Sequence, residues 1–218
     1  MSFPFSLKER VGLYVVTADY RERTHIGMAK AAVAGGARII QYREKKASSR
    51  VMLEAATRLR AVTAASGALL IINDRVDIAL AVNADGVHLG QDDMPCRAAR
   101  KLMGDGYIIG VSATNFSEAV EAAHDGADYI GLGPIYPTMS KDDAAPAMGI
   151  EGLVKVVAAV SVPVVAIGGL TADNIGGVLE AGADGIAMIS AIAGAADMEN
   201  ETALLNDMIG RYKKKHVI

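Results

Sequence analysis

The sequence predicts an α/β chain folded as one (β/α)8 TIM barrel, and three observations carry that prediction. Eight short, apolar runs alternate with helical patterns along the chain, and such runs are the mark of parallel strands covered on both faces. Eight strand–helix units favour closure into a barrel, because an open doubly wound sheet would need fewer units or a second domain. The length of 218 residues suits one such barrel, and no Ser/Pro-rich or low-complexity stretch divides the chain, so 1–218 is read as a single domain.

The predicted strands are 13–17, 37–43, 68–72, 86–89, 107–111, 128–132, 163–167 and 184–189. Between them, Val51, Ala55, Leu59 and Val62 recur at helical spacing and are expected to form one buried face. Asn115 followed by Glu118 has the spacing of a capping box. Thr171 is expected to cap the helix after strand seven. The turns Ala34-Gly-Gly-Ala37, His124-Asp-Gly-Ala-Asp128 and Glu180-Ala-Gly-Ala-Asp184 should stop three helices through a left-handed glycine.

Composition narrows the function classes. Hydrophobic residues make up 51% and charged residues 22%, a globular balance; aromatics are only 5%, so Ala, Val, Ile and Leu are expected to fill the interior. The net charge is −3 with no long basic stripe, which argues against nucleic acid as a partner. The local exception, Arg211, Lys213, Lys214 and Lys215, reads as a solvated last helix with cations near its negative end. Cys96 is the only cysteine, which excludes an intrachain disulfide, and it reads as structural. No segment has membrane-spanning character and the first ten residues lack a signal-peptide pattern, so a cytoplasmic location is expected. The oligomeric state stays open, a homo-oligomer included.

Barrel active sites sit at the C-terminal ends of the strands. Alternation after strand two puts Gln41, Arg43 and Lys45 on one face, an anion-binding combination, or else an ion-pair cluster with Glu44 and Lys46. Asp74 follows strand three, and Asp92 and Asp93 follow strand four. Each could cap a helix, but carboxylates at adjacent strand ends also suit Mg2+ shared with substrate phosphates. His88 reads as a hydrogen-bonded scaffold residue or a functional one, and Ser112 as a phosphate donor or the start of a turn. The long segment after strand six carries Thr138, Ser140 and Lys141 and reads as a lid or a surface loop. Gly168-Gly169 and Ile189-Ser190 stand where barrels commonly bind phosphate through backbone amides. The inventory implies two anionic subsites, one bridged by metal near strands two to four and one free of metal at strands seven and eight.

These residues, in this order and spacing, resemble the thiamine-phosphate synthase family from Leu13 to Ser190. The matching pieces are Gln41-Tyr-Arg-Glu-Lys45, Asn73-Asp74, Gly86-Val-His-Leu-Gly-Gln-Asp-Asp93, Gly110-Val-Ser112, Gly131-Leu-Gly-Pro-Ile-Tyr-Pro-Thr138, Lys141, Ile167-Gly-Gly169 and Met188-Ile-Ser190. The resemblance implies condensation of 4-amino-2-methyl-5-(diphosphooxymethyl)pyrimidine with a thiazole phosphate, releasing pyrophosphate. It implies one Mg2+ on Asp74 and Asp93. It assigns Gln41, Arg43, Lys45, Asn73, Ser112 and Lys141 to the pyrimidine diphosphate, with Arg43, Lys45 and Lys141 neutralising the leaving group. Thr138, Ser140, Gly169, Ile189 and Ser190 would hold the thiazole phosphate. Ser140 stands where the family usually has threonine, and the hydroxyl is kept. Alternative readings are a thiazole tautomerase-like isomerase, a non-catalytic thiamine-precursor sensor and another phosphate-binding barrel enzyme. The paired acidic positions and the cationic strand-two end count against the last; a tautomerase would not require Asp74, Asp93 and Lys141 together, and a sensor would bind ligands without turnover.

Overall fold

The computed structural model describes residues 7–18, 20, 22–138 and 145–216. Eight parallel strands close into a barrel in sequence order, β1 pairing with both β2 and β8. The strands are β1 (Leu13–Thr17), β2 (Ile39–Tyr42), β3 (Leu69–Asn73), β4 (Gly86–Leu89), β5 (Ile108–Ala113), β6 (Tyr129–Leu132), β7 (Val164–Ile167) and β8 (Gly185–Met188). After a short α1 (Leu7–Arg10), the helices are α2 (His25–Ala34), α3 (Ser49–Ser66), α4 (Val76–Ala81), α5 (Cys96–Met103), α6 (Phe116–His124), α7 (Gly149–Ala159), α8 (Ile175–Glu180), the extra one-turn α9 (Ser190–Ala193) and α10 (Met198–His216). The fold class is therefore the one the sequence predicts. No described helix is long and apolar enough to cross a membrane.

Strand ends differ from the predicted ones for physical reasons. Arg43 lies beyond β2, whose last residue Tyr42 faces Thr17 and Ile72 across the ladder. β3 and β5 run further than expected, because Asn73 pairs with His88 and Ala113 with Leu132. Asp128 and Asp184, read as strand starts, instead serve as staples. The Asp128 carboxylate accepts from the Ile109 amide at 2.7 Å, and that of Asp184 from the Val164 amide at 2.9 Å. Asp85 does the same for Leu70 at 2.7 Å. These three aspartates thus tie the starts of β4, β6 and β8 to the strands before them at the N-terminal pole. The glycines of the three predicted helix-stopping turns have the expected left-handed φ, +90° at Gly36, +88° at Gly126 and +96° at Gly182.

The helices need three further corrections. The buried face of α3 is Met52, Ala56, Leu59 and Thr63, one position round from the predicted stripe, and Val51 is 52% exposed. Thr171 does not cap α8. Its carbonyl accepts from Asn174 and Ile175 in a turn that precedes the helix, and its amide donates to Asn174 Oδ1. Lys213 is not solvated: it is half-buried and donates to the Val11 carbonyl, and burial lowers its proton affinity. The Asn115 cap forms as predicted, accepting from Glu118 N at 3.0 Å, while the Glu118 carboxylate returns to the Thr114 amide at 2.7 Å. Cys96 is buried at the start of α5, and burial raises its thiol.

The core has two layers. Ile40, Leu70, Ile72, Val87, Ile109 and Ile130 pack outward under the helices. Inside the barrel, Ile39, Leu69, Ile71, Ile108 and Val165 fill the lower part with two tyrosines, Tyr14 and Tyr129. Above them the inward positions turn polar at Gln41, Asn73 and His88, all buried. That change marks the mouth at the strand C-termini.

Candidate active site

The strand C-termini enclose a cavity of about 290 Å³. Arg43, Lys45, Asn73, Asp74, Asp93, Ser112, Thr138, Gly169, Ile189 and Ser190 all line it. Gln41 lines a smaller floor cavity of about 30 Å³, whose walls share Arg43, Asn73 and Ser112 with the first. Ser140 and Lys141, with the rest of 139–144 of the predicted lid, lie outside the described residues.

Each position follows from local structure. Past the end of β2, Arg43 and Lys45 line the cavity, whereas Glu44 turns the other way. Glu44 Oε1 accepts from the amides of Lys46 at 2.5 Å and Ala47 at 3.1 Å, and Oε2 lies 3.5 Å from His25 Nε2. Burial alone would raise the Glu44 carboxyl, but the two amides and His25 outweigh it and hold it low. His25 is fixed in turn by Thr17 Oγ1 at 2.8 Å and stands edge-on to Tyr42. Glu44 is thus held by this bracket and not by an ion-pair cluster with the neighbouring cations.

Neither acidic position caps a helix. Arg75 precedes α4 and Pro95 precedes α5, both without a side-chain cap bond. Asp74 has φ +62°, a left-handed geometry that L-residues hold only when the surroundings impose it, and its amide is pinned to the His88 carbonyl at 2.8 Å. Its carboxyl is pushed up to about 6, by burial first and then by the neighbouring Asp93, against the pull of Lys45. Lys45 Nζ sits 3.4 Å from Asp74 Oδ2. Asp93 Oδ2 accepts from the Gly90 amide at 2.7 Å. Two carboxylates crowded together in this way form a negative pole that a divalent cation would relieve. Among the described residues no group of three or more His, Cys, Asp or Glu side chains could hold a metal, so a cation there would need further oxygens from substrate or water. That requirement fits Mg2+, which keeps water and phosphate ligands, and not a closed zinc site.

On the far side of the cavity, Gly168 and Gly169 have φ +97° and +67°. A Cβ on Gly169 would lie 2.7 Å from the Pro137 carbonyl oxygen, so glycine lets the β7 turn pack under the segment carrying Thr138. Asn73 is 6% exposed and its Nδ2 has no partner among the described residues, a buried donor beside the cavity.

His88 is buried and hydrogen-bonded on both ring nitrogens, its Nδ1 2.9 Å from Tyr129 Oη and its Nε2 2.9 Å from Ser112 Oγ. The two tyrosines, Tyr14 and Tyr129, were missed in the sequence. The signal was available in the alternation of β1 and β6, which places Tyr14 in phase with Val16, and Tyr129 with Gly131, on the inward face. Thr114 and Gln91 are further lining residues not singled out, and Gln91 Nε2 donates to the Ser112 carbonyl at 2.6 Å.

Fold and cavity together define a barrel enzyme for phosphorylated small molecules, with cations and a carboxylate pair side by side at its mouth. The chain belongs to the family described as thiamine monophosphate synthase, whose profile residues 13–192 match. It is 50% identical over 205 residues to the thiamine-phosphate synthase of Chloroflexus aurantiacus, covering 93% of this chain and 94% of that protein. The thiamine-phosphate synthase of Archaeoglobus fulgidus is also 50% identical, over 207 residues, covering 95% and 97%. The solved thiamine phosphate pyrophosphorylase from Pyrococcus furiosus superposes with a TM-score of 0.88 at 44% identity, covering 94% and 98%.

Proposed function

We propose that the chain is a transferase that condenses the aminopyrimidine diphosphate with a thiazole phosphate, giving thiamine phosphate and pyrophosphate. The observation that carries this reading is the single mouth that gathers Arg43, Lys45, Asp74 and Asp93 on one side and Thr138, Gly169 and Ser190 on the other. It provides room for two phosphorylated fragments facing each other.

Asp74 and Asp93 would hold one Mg2+, which when bound supplies positive charge to the departing diphosphate. Arg43 suits two-point contact with phosphate oxygens and Lys45 adds a compact charge. Lys141, assigned by resemblance, would complete the neutralisation. The C–O bond breaks as negative charge moves onto pyrophosphate, and the electron-rich aminopyrimidine spreads the positive charge left on its methylene carbon. The thiazole nitrogen then donates its electron pair to that carbon. No protein nucleophile is needed. Gln41, Asn73 and Ser112 would orient the pyrimidine, the unpartnered Asn73 Nδ2 donating to it. Thr138, Ser140, Gly169, Ile189 and Ser190 would anchor the thiazole phosphate and fix the approach of the nitrogen. We also read the chain as one domain acting in the cytoplasm.

The test is to incubate purified protein with Mg2+ and both substrates and to follow thiamine phosphate and pyrophosphate. Equimolar appearance of both is expected. Binding of both substrates without turnover would replace the synthase reading with a sensor.

A further inference from the structure

A continuous hydrogen-bonded chain crosses the barrel interior beneath the mouth. Gln41 Nε2 donates to Tyr14 Oη at 2.9 Å, and Tyr14 Oη lies 2.7 Å from Tyr129 Oη. Tyr129 Oη lies 2.9 Å from His88 Nδ1, and His88 Nε2 lies 2.9 Å from Ser112 Oγ. The two ends, Gln41 and Ser112, both line the floor cavity. The middle is buried, Tyr14 and Tyr129 each 2% exposed, and burial raises both phenols so that each keeps its proton. The barrel makes room for this chain: a Cβ on Gly110 would lie 2.1 Å from Tyr129 Cζ, and one on Gly131 would lie 2.7 Å from His88 Cε1.

With Gln41 Nε2 facing Tyr14, counting protons sets the direction of the chain. Each phenol has one proton to give. With Gln41 donating to Tyr14, Tyr14 must donate to Tyr129, and Tyr129 to His88 Nδ1. His88 then carries its proton on Nε2 and donates to Ser112 Oγ. The Ser112 hydroxyl proton is left for the cavity, and Gln41 Oε1 is left as an acceptor. If Tyr129 pointed back at Tyr14, the Tyr14 proton would face no acceptor, the costly case of a buried unsatisfied donor. An imidazolium at His88 would force the same reversal. Complete reversal is satisfied only if the Gln41 amide also turns over. The amide orientation at one end and the hydroxyl direction at the other are therefore locked together across four hydrogen bonds.

We infer that Tyr129, with Tyr14, is a specificity-determining positioning residue that makes the floor of the mouth present an acceptor at Gln41 and a donor at Ser112 at the same time. An acceptor at one end of the floor and a donor at the other suit a 4-aminopyrimidine, whose amino group donates and whose ring nitrogens accept. A 4-oxo pyrimidine replaces the donating amino group with an acceptor, so it is mismatched against Gln41 Oε1 unless the whole chain reverses. The inference rests on the substrate reading above and adds the discrimination between amino and oxo rings to it.

Nitrogen NMR of the wild-type protein, with the His88 signals assigned by their loss in His88→Asn, tests the direction without any substrate. A neutral ring protonated on Nε2 is expected, and a ring protonated on Nδ1 overturns the inference. The second measurement compares kcat/KM for the amino substrate and its 4-oxo analogue diphosphate. Discrimination of about a hundredfold is expected in the wild type, as for a site that hydrogen-bonds a defining group. Tyr129→Phe should lower kcat/KM for the amino substrate about tenfold, reduce the discrimination by at least about tenfold and broaden the His88 tautomer preference. A Tyr129→Phe protein that keeps full discrimination overturns the proposal, and if that variant does not fold, Tyr14→Phe and the wild-type tautomer decide it. A wild type that couples neither pyrimidine overturns the assigned reaction instead, while the tautomer signal still reads the chain.

Discussion

Asp74 holds a backbone geometry that most residues avoid, at φ +62°, and holds it beside a second carboxylate. Both features cost stability, and the protein gains from them only if a cation arrives between the two carboxyl groups. Asp93→Ala should therefore lower the coupling rate at least about tenfold at saturating Mg2+. Asp93→Asn separates charge from scaffold, because the amide oxygen can still accept from Gly90 N. It should be as inactive as the alanine variant while melting close to wild type. Near-normal rates for both variants, measured by pyrophosphate release, would remove Asp93 from the metal assignment. The two carboxylates were legible in the sequence because charge directly after an apolar strand demands a reason. Tyr14 and Tyr129 were not, since an aromatic residue in an apolar run looks like core until its hydroxyl partners are known.

At the level of elements, the strand order and the helix-stopping glycines could be read from pattern, because period and turn chemistry are local. Strand ends could not, because they depend on which neighbour continues the ladder, as Asn73 shows by pairing with His88. The Glu44 bracket was hidden for the same reason: His25, eight residues after the end of β1, closes onto it only once β1 and β2 lie side by side. Its place argues for a role in aiming Arg43 and Lys45. Glu44→Ala should free the turn and lower kcat/KM for the diphosphate substrate about tenfold through misplaced charge. Calorimetric binding of inorganic pyrophosphate should weaken in parallel, and unchanged affinity would refute the aiming role. The aspartate staples act at the other pole. The Asp85 carboxylate accepts from Leu70 N at 2.7 Å and pairs with Arg60 at 2.6 Å. Asp85→Ala should cost about 2 kcal/mol in urea unfolding, the worth of a charge-assisted hydrogen bond and an unpaired amide, yet leave kcat/KM within about twofold. A large loss of activity at unchanged stability would contradict that division.

The whole molecule divides its labour between the two ends of the barrel. The N-terminal pole is closed by staples and by Lys213 on the Val11 carbonyl. The C-terminal pole keeps a crowded carboxylate pair, a buried unpartnered amide on Asn73 and a left-handed Asp74, all of which ligands would relieve. Ligands should accordingly stabilise the fold through the upper pole alone. Mg2+ with inorganic pyrophosphate at a hundred times its dissociation constant should add about 2.7 kcal/mol by mass action. In a chain of this size each kcal/mol raises the melting temperature by about 2–4 °C, so a rise of roughly 5–10 °C is expected. Asp85→Ala should start from a lower melting temperature and show the same rise. Asp93→Ala, which loses the bond from Gly90 N, should start somewhat lower and lose most of the rise. If Asp93→Ala were stabilised as fully as wild type, Mg2+ and pyrophosphate would be binding somewhere other than this mouth, and the two-pole division would fail with it.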